Sequence, residues 1–162
     1  MEAVSEEVRT LPITFSVEDW FDARDEMSSL WFKHWEEVAI NKDVIKLDPD
    51  FDSYDFFANA GMLHIVVARK AGKVIGYHFS LVKPHLHYKH SLSALTDIYY
   101  IDPAHRTGRT PLRFFQFVEK SLKDRGVQKM FTGTKLHLDA GPLFEFMGWT
   151  ETERLYTKVI GG

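Results

Sequence analysis

The chain has no cysteine, which excludes disulfides, cysteine–zinc sites, iron–sulfur clusters and any thiol nucleophile. It has no apolar run approaching the roughly 18 residues that would cross a bilayer. The acidic start Met1-Glu2-Ala3-Val4-Ser5-Glu6-Glu7 carries the wrong charge for a secretory leader. Neither sign of charge dominates: 20 Lys+Arg stand against 23 Asp+Glu, a formal net charge of −3. That balance argues against sequence-independent nucleic-acid binding, a reading that only the cluster Arg106, Arg109 and Arg113 would favour. What the chain does have is aromatic bulk. Thirteen Phe, six Tyr and four Trp within 162 residues, 44% of them hydrophobic, are enough for a sizeable core. The expectation is one soluble, cytoplasmic domain over residues 11–162, preceded by a polar acidic tail over 1–10.

Periodicity divides the chain. Residues 11–15 alternate like a short strand. Ser16 and Asp19 resemble a capping box, and Trp20, Phe21, Ala23, Met27, Leu30, Trp31, Trp35, Val38 and Ala39 then form the apolar stripe of one or two helices. Asp48-Pro49-Asp50 opens another helix, which Gly61 ends. Asp48, Asp50 and Asp52 are spaced like calcium ligands, but Ser53 and Asn59 stand where such a loop needs Gly and Glu, so capping is the better account. From residue 63 the period becomes that of strands: 63–69 and 74–82 as a hairpin, a polar connection over 85–91, then a strand over 94–101. A loop over 104–110, a helix over 111–123, a buried strand over 127–132, a short helix over 139–147 and a closing strand over 149–160 complete the order.

The most informative stretch is His105-Arg106-Thr107-Gly108-Arg109-Thr110-Pro111. A small-residue loop between strand and helix converges backbone N–H groups, and the helix N-terminus adds positive potential, so the segment reads as a phosphate nest. Arg106, Arg109 and Arg113 add charge-assisted bonds. Thr110 is placed to cap the helix, and Pro111 suits its first turn. Neither G-x-x-x-x-G-K-[ST] nor a dinucleotide G-x-G-x-x-G is present, which favours a pyrophosphate held by backbone and arginines.

The order strand, Ile101-Asp102-Pro103, Arg106-Thr107-Gly108-Arg109-Thr110-Pro111, helix, strand, Leu143-Phe144-Glu145-Phe146-Met147-Gly148-Trp149 resembles the GNAT acetyltransferase superfamily over about residues 62–160. His85-Leu86-His87-Tyr88-Lys89 with Thr96-Asp97-Ile98-Tyr99-Tyr100 is also similar to GNAT sequences carried by bacteriophages. The resemblance implies a mixed α+β fold: a mostly antiparallel central sheet, splayed between its fourth and fifth strands, with helices on both faces. It implies acetyl-CoA as co-substrate, its pantetheine arm on the edge of the strand at Tyr99, Tyr100, Ile101 and Asp102. The pyrophosphate would lie on Arg106, Thr107, Gly108, Arg109, Thr110 and Pro111. Phe144 stands where many relatives carry the tyrosine that protonates the leaving thiolate. Family members also often form homodimers.

Without cysteine, the expected chemistry is direct attack of a primary amine, on a protein lysine or a small molecule, upon the thioester. This needs a general base and donors for the developing oxyanion. Asp97 is the preferred base, because a carboxylate in an otherwise apolar central strand is costly unless partnered or functional. Because side chains alternate along a strand, Asp97, Tyr99 and Ile101 share one face. Tyr156, in the closing strand, and then Tyr99 and Tyr100 are candidate acids in place of Phe144. His85, His87 and His90 form H-x-H-x-x-H, but Lys89 interrupts it and no carboxylate completes it, so no metal is assigned. His85, His87 and Tyr88, with His137 before the last helix, are read as substrate contacts. The competing reading is a catalytically inactive GNAT-fold interaction module.

Overall fold

The computed structural model describes residues 11–161, so the tail expected over 1–10 lies outside the described residues. The elements are β1 (Ile13–Val17), α1 (Trp20–Ser28), α2 (Trp31–Val38), α3 (Phe51–Asn59), β2 (Leu63–Lys70), β3 (Lys73–His85) and β4 (Tyr88–Ile101). A 3₁₀ turn (Pro103–His105), α4 (Thr110–Asp124), β5 (Lys129–Phe131) and α5 (Gly141–Phe146) follow. The five strands form one sheet in the order β1-β2-β3-β4-β5. The first three junctions are antiparallel and the last is parallel. No helix among the described residues is long and apolar enough to cross a membrane.

Alternation along the strands supplies two apolar faces, and each is covered by helices. Ile65, Val67, Tyr77, Phe79 and Tyr100 pack under Trp20, Ala23 and Met27 of α1, Trp31 of α2, and Tyr54 and Ala58 of α3. Val66, Ala68, Val82, Ala94 and Ile101 pack under Phe114, Phe115, Val118 and Leu122 of α4 and Phe144 of α5. This is the mixed α+β architecture expected, with helices on both faces. At the crossing of β3 and β4 the backbones approach so closely that a Cβ on Gly76 would stand 2.5 Å from the Tyr100 carbonyl oxygen.

Local expectations are corrected at three places. Ser16 does not open α1: the strand runs on through Val17, Ser16 bonds Glu18, and the Asp19 side chain caps by accepting from Phe21 N–H. Asp50 does cap α3, accepting from Ser53 N–H at 2.9 Å. The connection expected over 85–91 is instead strand on both sides of a tight turn, with His85 paired to Tyr88. Cross-strand pairing between β3 and β4 carries both strands beyond their apolar stretches to the turn.

The third correction concerns the closing strand. Residues 149–161 carry no secondary structure, and Leu155, Tyr156 and Ile160 are exposed. The segment has the composition of a strand, but β5 offers only three paired residues as a neighbour, and an extended segment without a ladder is not a strand.

Candidate active site

The sheet opens where the resemblance requires. β5 pairs with β4 only at Ser93, Ala94 and Leu95; from Thr96 to Ile101 no strand among the described residues lies beside β4 on that side. Asp102 N–H donates to the Ile75 carbonyl at 2.7 Å, so alternate residues Tyr99 and Ile101 turn their backbone groups toward the open edge. The Ile101 carbonyl accordingly accepts from Arg106 Nε at 2.6 Å. That leaves the N–H and C=O of Tyr99 and the N–H of Ile101 for an amide-bearing arm.

A β-bulge lies at the seam between the paired and open halves. Phe79 pairs with Ile98 and Ser80 with Thr96, leaving Asp97 as the extra residue. The bulge breaks the alternation assumed for Asp97, Tyr99 and Ile101. Ile101 and Tyr99 pack toward α4 and α5, whereas Asp97 turns to the α1–α3 face, where Tyr54 donates to its Oδ2 at 2.5 Å. Asp97 is exposed. The structure therefore puts Asp97 and Tyr99 on opposite sides of the same open edge.

Tyr99 is half-buried, its ring edge-on to Phe115 at 5.2 Å and to Phe144 at 6.1 Å. Its hydroxyl donates to the Gly133 carbonyl at 2.8 Å, bridging the gap between β4 and the chain beyond β5. Burial raises its pKa, so the phenol keeps its proton. Phe144, 7% exposed, is a packed ring against Phe115 and Trp149. Tyr156, expected in a closing strand, is 86% exposed in the unpaired C-terminal segment. Tyr100 is buried on the other face, stacked on His34 at 5.0 Å, and burial raises its pKa.

The nest is realised in part. Gly108 takes φ +57°, a left-handed conformation in which a Cβ is strained although the space around it is open. Among the described residues, the N–H groups of Thr107, Gly108 and Arg109 donate to nothing, while Thr110 N–H is spent on the Thr107 carbonyl. Thr110 is already the first helical residue; Arg109 occupies the cap without a side-chain bond, and Pro111 sits in the first turn. Asp102 caps the 3₁₀ turn, accepting from Ala104 N–H, and lies 3.5 Å from Lys33 Nζ.

Arg106 departs from the expectation of a phosphate ligand. Its guanidinium pairs with both oxygens of Glu37 on α2, Nη2 at 2.7 Å from Oε2, and its Nε holds Ile101. This pairing with Glu37 raises its pKa. Three of its donors thereby tie α2 to the end of β4. Arg113 lies over the Phe15 ring at 5.7 Å. Among the described residues Arg109 makes no ion pair and is exposed to solvent.

His85, His87 and Tyr88 cluster at the hairpin tip, the His85 ring 5.6 Å from His87 and 5.2 Å from Tyr88. Tyr88 precedes Asp97 by nine residues, roughly 30 Å along an extended strand, so the structure does not bring these side chains to the open edge. His137 is placed against α2, hydrogen-bonded through Nε2 to the carbonyl of Glu37, the residue that holds Arg106. Sequence reasoning missed Tyr54 and Glu37. Both sit on amphipathic helices, where nothing in the local pattern marks a polar residue that points inward.

A cleft of about 510 Å³ lies between α2 and the end of β4, lined by Phe32, Lys33, Glu36, Glu37, Tyr100, Asp102 and Pro103. It adjoins the Arg106–Glu37 pair on the face to which Asp97 turns.

No protein-family model matches the sequence, and no curated protein matches it. Solved structures do. A predicted acetyltransferase from Clostridium acetobutylicum, solved with acetyl-CoA, superposes with a TM-score of 0.66 at 13% identity, covering 92% of this chain and 97% of the other. Ribosomal-protein-alanine N-acetyltransferase from Brucella melitensis biovar Abortus 2308 gives 0.67 at 14% identity, covering 93% and 100%. Glucosamine-6-phosphate N-acetyltransferase from Arabidopsis thaliana gives 0.68 at 13%, covering 93% and 99%. At such identities the likeness is one of architecture: this chain has the fold of these acetyltransferases.

Proposed function

We propose that the protein transfers an acetyl group from acetyl-CoA directly to a primary amine, on a protein lysine or a small molecule. The observation that carries this reading is Asp97, pushed out by a bulge at the seam where β4 loses its neighbour. A carboxylate there stands beside the open backbone edge and not inside a paired sheet. The unspent N–H groups of Thr107, Gly108 and Arg109 fit a pyrophosphate at the head of α4, and the edge at Tyr99 and Ile101 fits the amide arm. Acetyl-CoA supplies the activated acyl group.

In this reading the acceptor amine approaches from the α1–α3 face. Asp97 takes its proton, and the freed lone pair forms the C–N bond while an edge N–H such as that of Tyr99 faces the developing oxyanion. The C–S bond breaks toward the opposite face, where Tyr99 holds a proton for the thiolate. Tyr99 replaces Tyr156 as the preferred acid because its ring lies against Phe144, at the position the resemblance gives to the acid. The reading keeps the protein in the cytoplasm, of an infected host where the narrower phage resemblance holds.

Calorimetry with acetyl-CoA, followed by release of CoA thiol in the presence of a blocked lysine peptide, spermidine or kanamycin, tests it. Micromolar binding and turnover of one amine class are expected. No binding at millimolar acetyl-CoA would leave the fold without the activity.

A further inference from the structure

The proposed base has a partner that the reading above does not use. Tyr54 lies on α3, 43 residues from Asp97 in sequence, and its hydroxyl donates to Asp97 Oδ2 at 2.5 Å. Its ring is fixed on three sides: stacked on Trp20 at 4.9 Å, tilted on Trp31 at 5.5 Å and edge-on to Phe79 at 5.6 Å. Trp20 is itself tied down, its Nε1 donating to Asp55 Oδ1 at 2.5 Å, and Asp55 also takes Arg24 Nη1 at 3.2 Å. The Asp50 cap sets where α3 begins, and Tyr54 N–H bonds back to the Asp50 carbonyl. A rigid aromatic mount thus delivers one hydroxyl to an exposed carboxylate on a bulge.

A carboxylate on a surface bulge rotates freely unless one oxygen is held. Among the described residues no donor reaches Asp97 Oδ1, so Tyr54 holds one oxygen and leaves the other open. We infer that Tyr54 is the positioning residue of the acetyl-transfer base, holding Asp97 Oδ2 so that Oδ1 faces the acceptor amine. The inference rests on the reading of Asp97 as base. The Tyr54 phenol is suited to the role, since burial first and Asp97 second raise its pKa and keep it a donor. Positioning of this kind acts on the rate of proton transfer and not on how tightly either substrate binds.

The test is a double-mutant cycle of Tyr54→Phe and Asp97→Asn, read as kcat, KM for the amine that turns over in the panel above, calorimetric acetyl-CoA affinity and melting temperature. Tyr54→Phe keeps the ring and its packing. We expect kcat to fall about tenfold with KM and acetyl-CoA affinity within twofold of wild type. In the Asp97→Asn background the same change should add nothing, because groups acting as a unit are not additive. Wild-type kcat in Tyr54→Phe overturns the inference, as does a further tenfold loss in the Asp97→Asn background, which would mean that the hydroxyl acts apart from Asp97. Where Asp97→Asn is too slow to read, the kcat-against-KM split of the single variant decides. Wild-type turnover in Asp97→Asn would instead remove Asp97 as base, a failure of the underlying reading that is separate from that of Tyr54.

Discussion

The two halves of β4 share one strand and differ in what their backbones are free to do. Over Ser93, Ala94 and Leu95 the strand has neighbours on both sides, and its amides are consumed in two ladders. Over Thr96 to Ile101 only β3 remains among the described residues, and the N–H and C=O of Tyr99 and the N–H of Ile101 face the open edge, while the Ile101 carbonyl is taken by Arg106. An unpaired edge is ordinarily a liability, open to any passing strand. Here it is interrupted by the bulged Asp97 and bridged by the Tyr99 hydroxyl to Gly133. The difference teaches that one strand of this fold leaves off its hydrogen-bond ladder partway, and the proposed chemistry is built around that gap.

The sharpest way to break the comparison is at the seam. Asp97→Asn preserves shape and removes the proposed base, so turnover should fall by about two to four orders of magnitude, while calorimetry should find acetyl-CoA binding retained. Equal loss of binding and turnover would make Asp97 a structural part of the edge.

Much of this fold could be read from the sequence because its signals were local. The change from helical to strand period at residue 63, the Asp50 cap and the position of Gly108 each follow from side-chain chemistry within a few residues. The failures were non-local. A bulge is invisible to alternation, and one extra residue reversed the face of Asp97 relative to Tyr99 and Ile101. Arg106 was read as a phosphate ligand because Glu37, 69 residues away, leaves no trace near it. Residues 149–160 carry a strand composition, but whether they form a strand depends on a neighbour that three-residue β5 does not supply. The open edge itself was expected only through the resemblance, since no composition encodes the place where a ladder stops.

Beneath the open half lies a titratable group that the paired half lacks. His78 is fully buried opposite Tyr99, stacked on it at 6.4 Å and bonded to Thr96 Oγ1 through Nε2 at 3.3 Å. Burial lowers its pKa to about 3, and lowers those of His34 and His64 to about 4. With the folded values depressed, all three are neutral in both states at pH 7. As pH falls through about 6.5 the unfolded chain takes up protons that the folded one refuses, and stability is lost. Each histidine should remove up to about 2 kcal/mol between pH 6.5 and 5. Urea melts at pH 7 and pH 5 on wild type and His78→Gln check this: the variant should be less stable at pH 7 but lose less on acidification. An equal loss would assign the acid sensitivity elsewhere.

A smaller effect separates the two candidate acids. Tyr99→Phe removes a proton donor at the open edge and should lower kcat about tenfold, near the low end for general acid catalysis. Tyr156→Phe, in the exposed C-terminal segment, should leave kcat unchanged. The reverse result would mean that residues 149–161 close over the edge when substrates bind.

The smallest effect concerns the two arginines at the end of the open half. They are three residues apart and bound to opposite fates: Arg106 is locked on Glu37 and Ile101, whereas Arg109 faces water beside three unspent N–H groups. Arg109→Ala should weaken acetyl-CoA about fivefold at low salt, the scale of an exposed charge contact. The difference should shrink at high salt, because such contacts are screened. Arg106→Ala should act on the fold instead. It strands a half-buried Glu37 carboxylate at a cost of about 1–3 kcal/mol, which a thermal melt reads directly, and acetyl-CoA affinity of the folded protein should hardly move. If Arg106→Ala weakens binding more than Arg109→Ala, Glu37 must release Arg106 when the pyrophosphate arrives. The ion pair would then be a latch that the ligand opens, and the end of β4 would be held closed until acetyl-CoA binds.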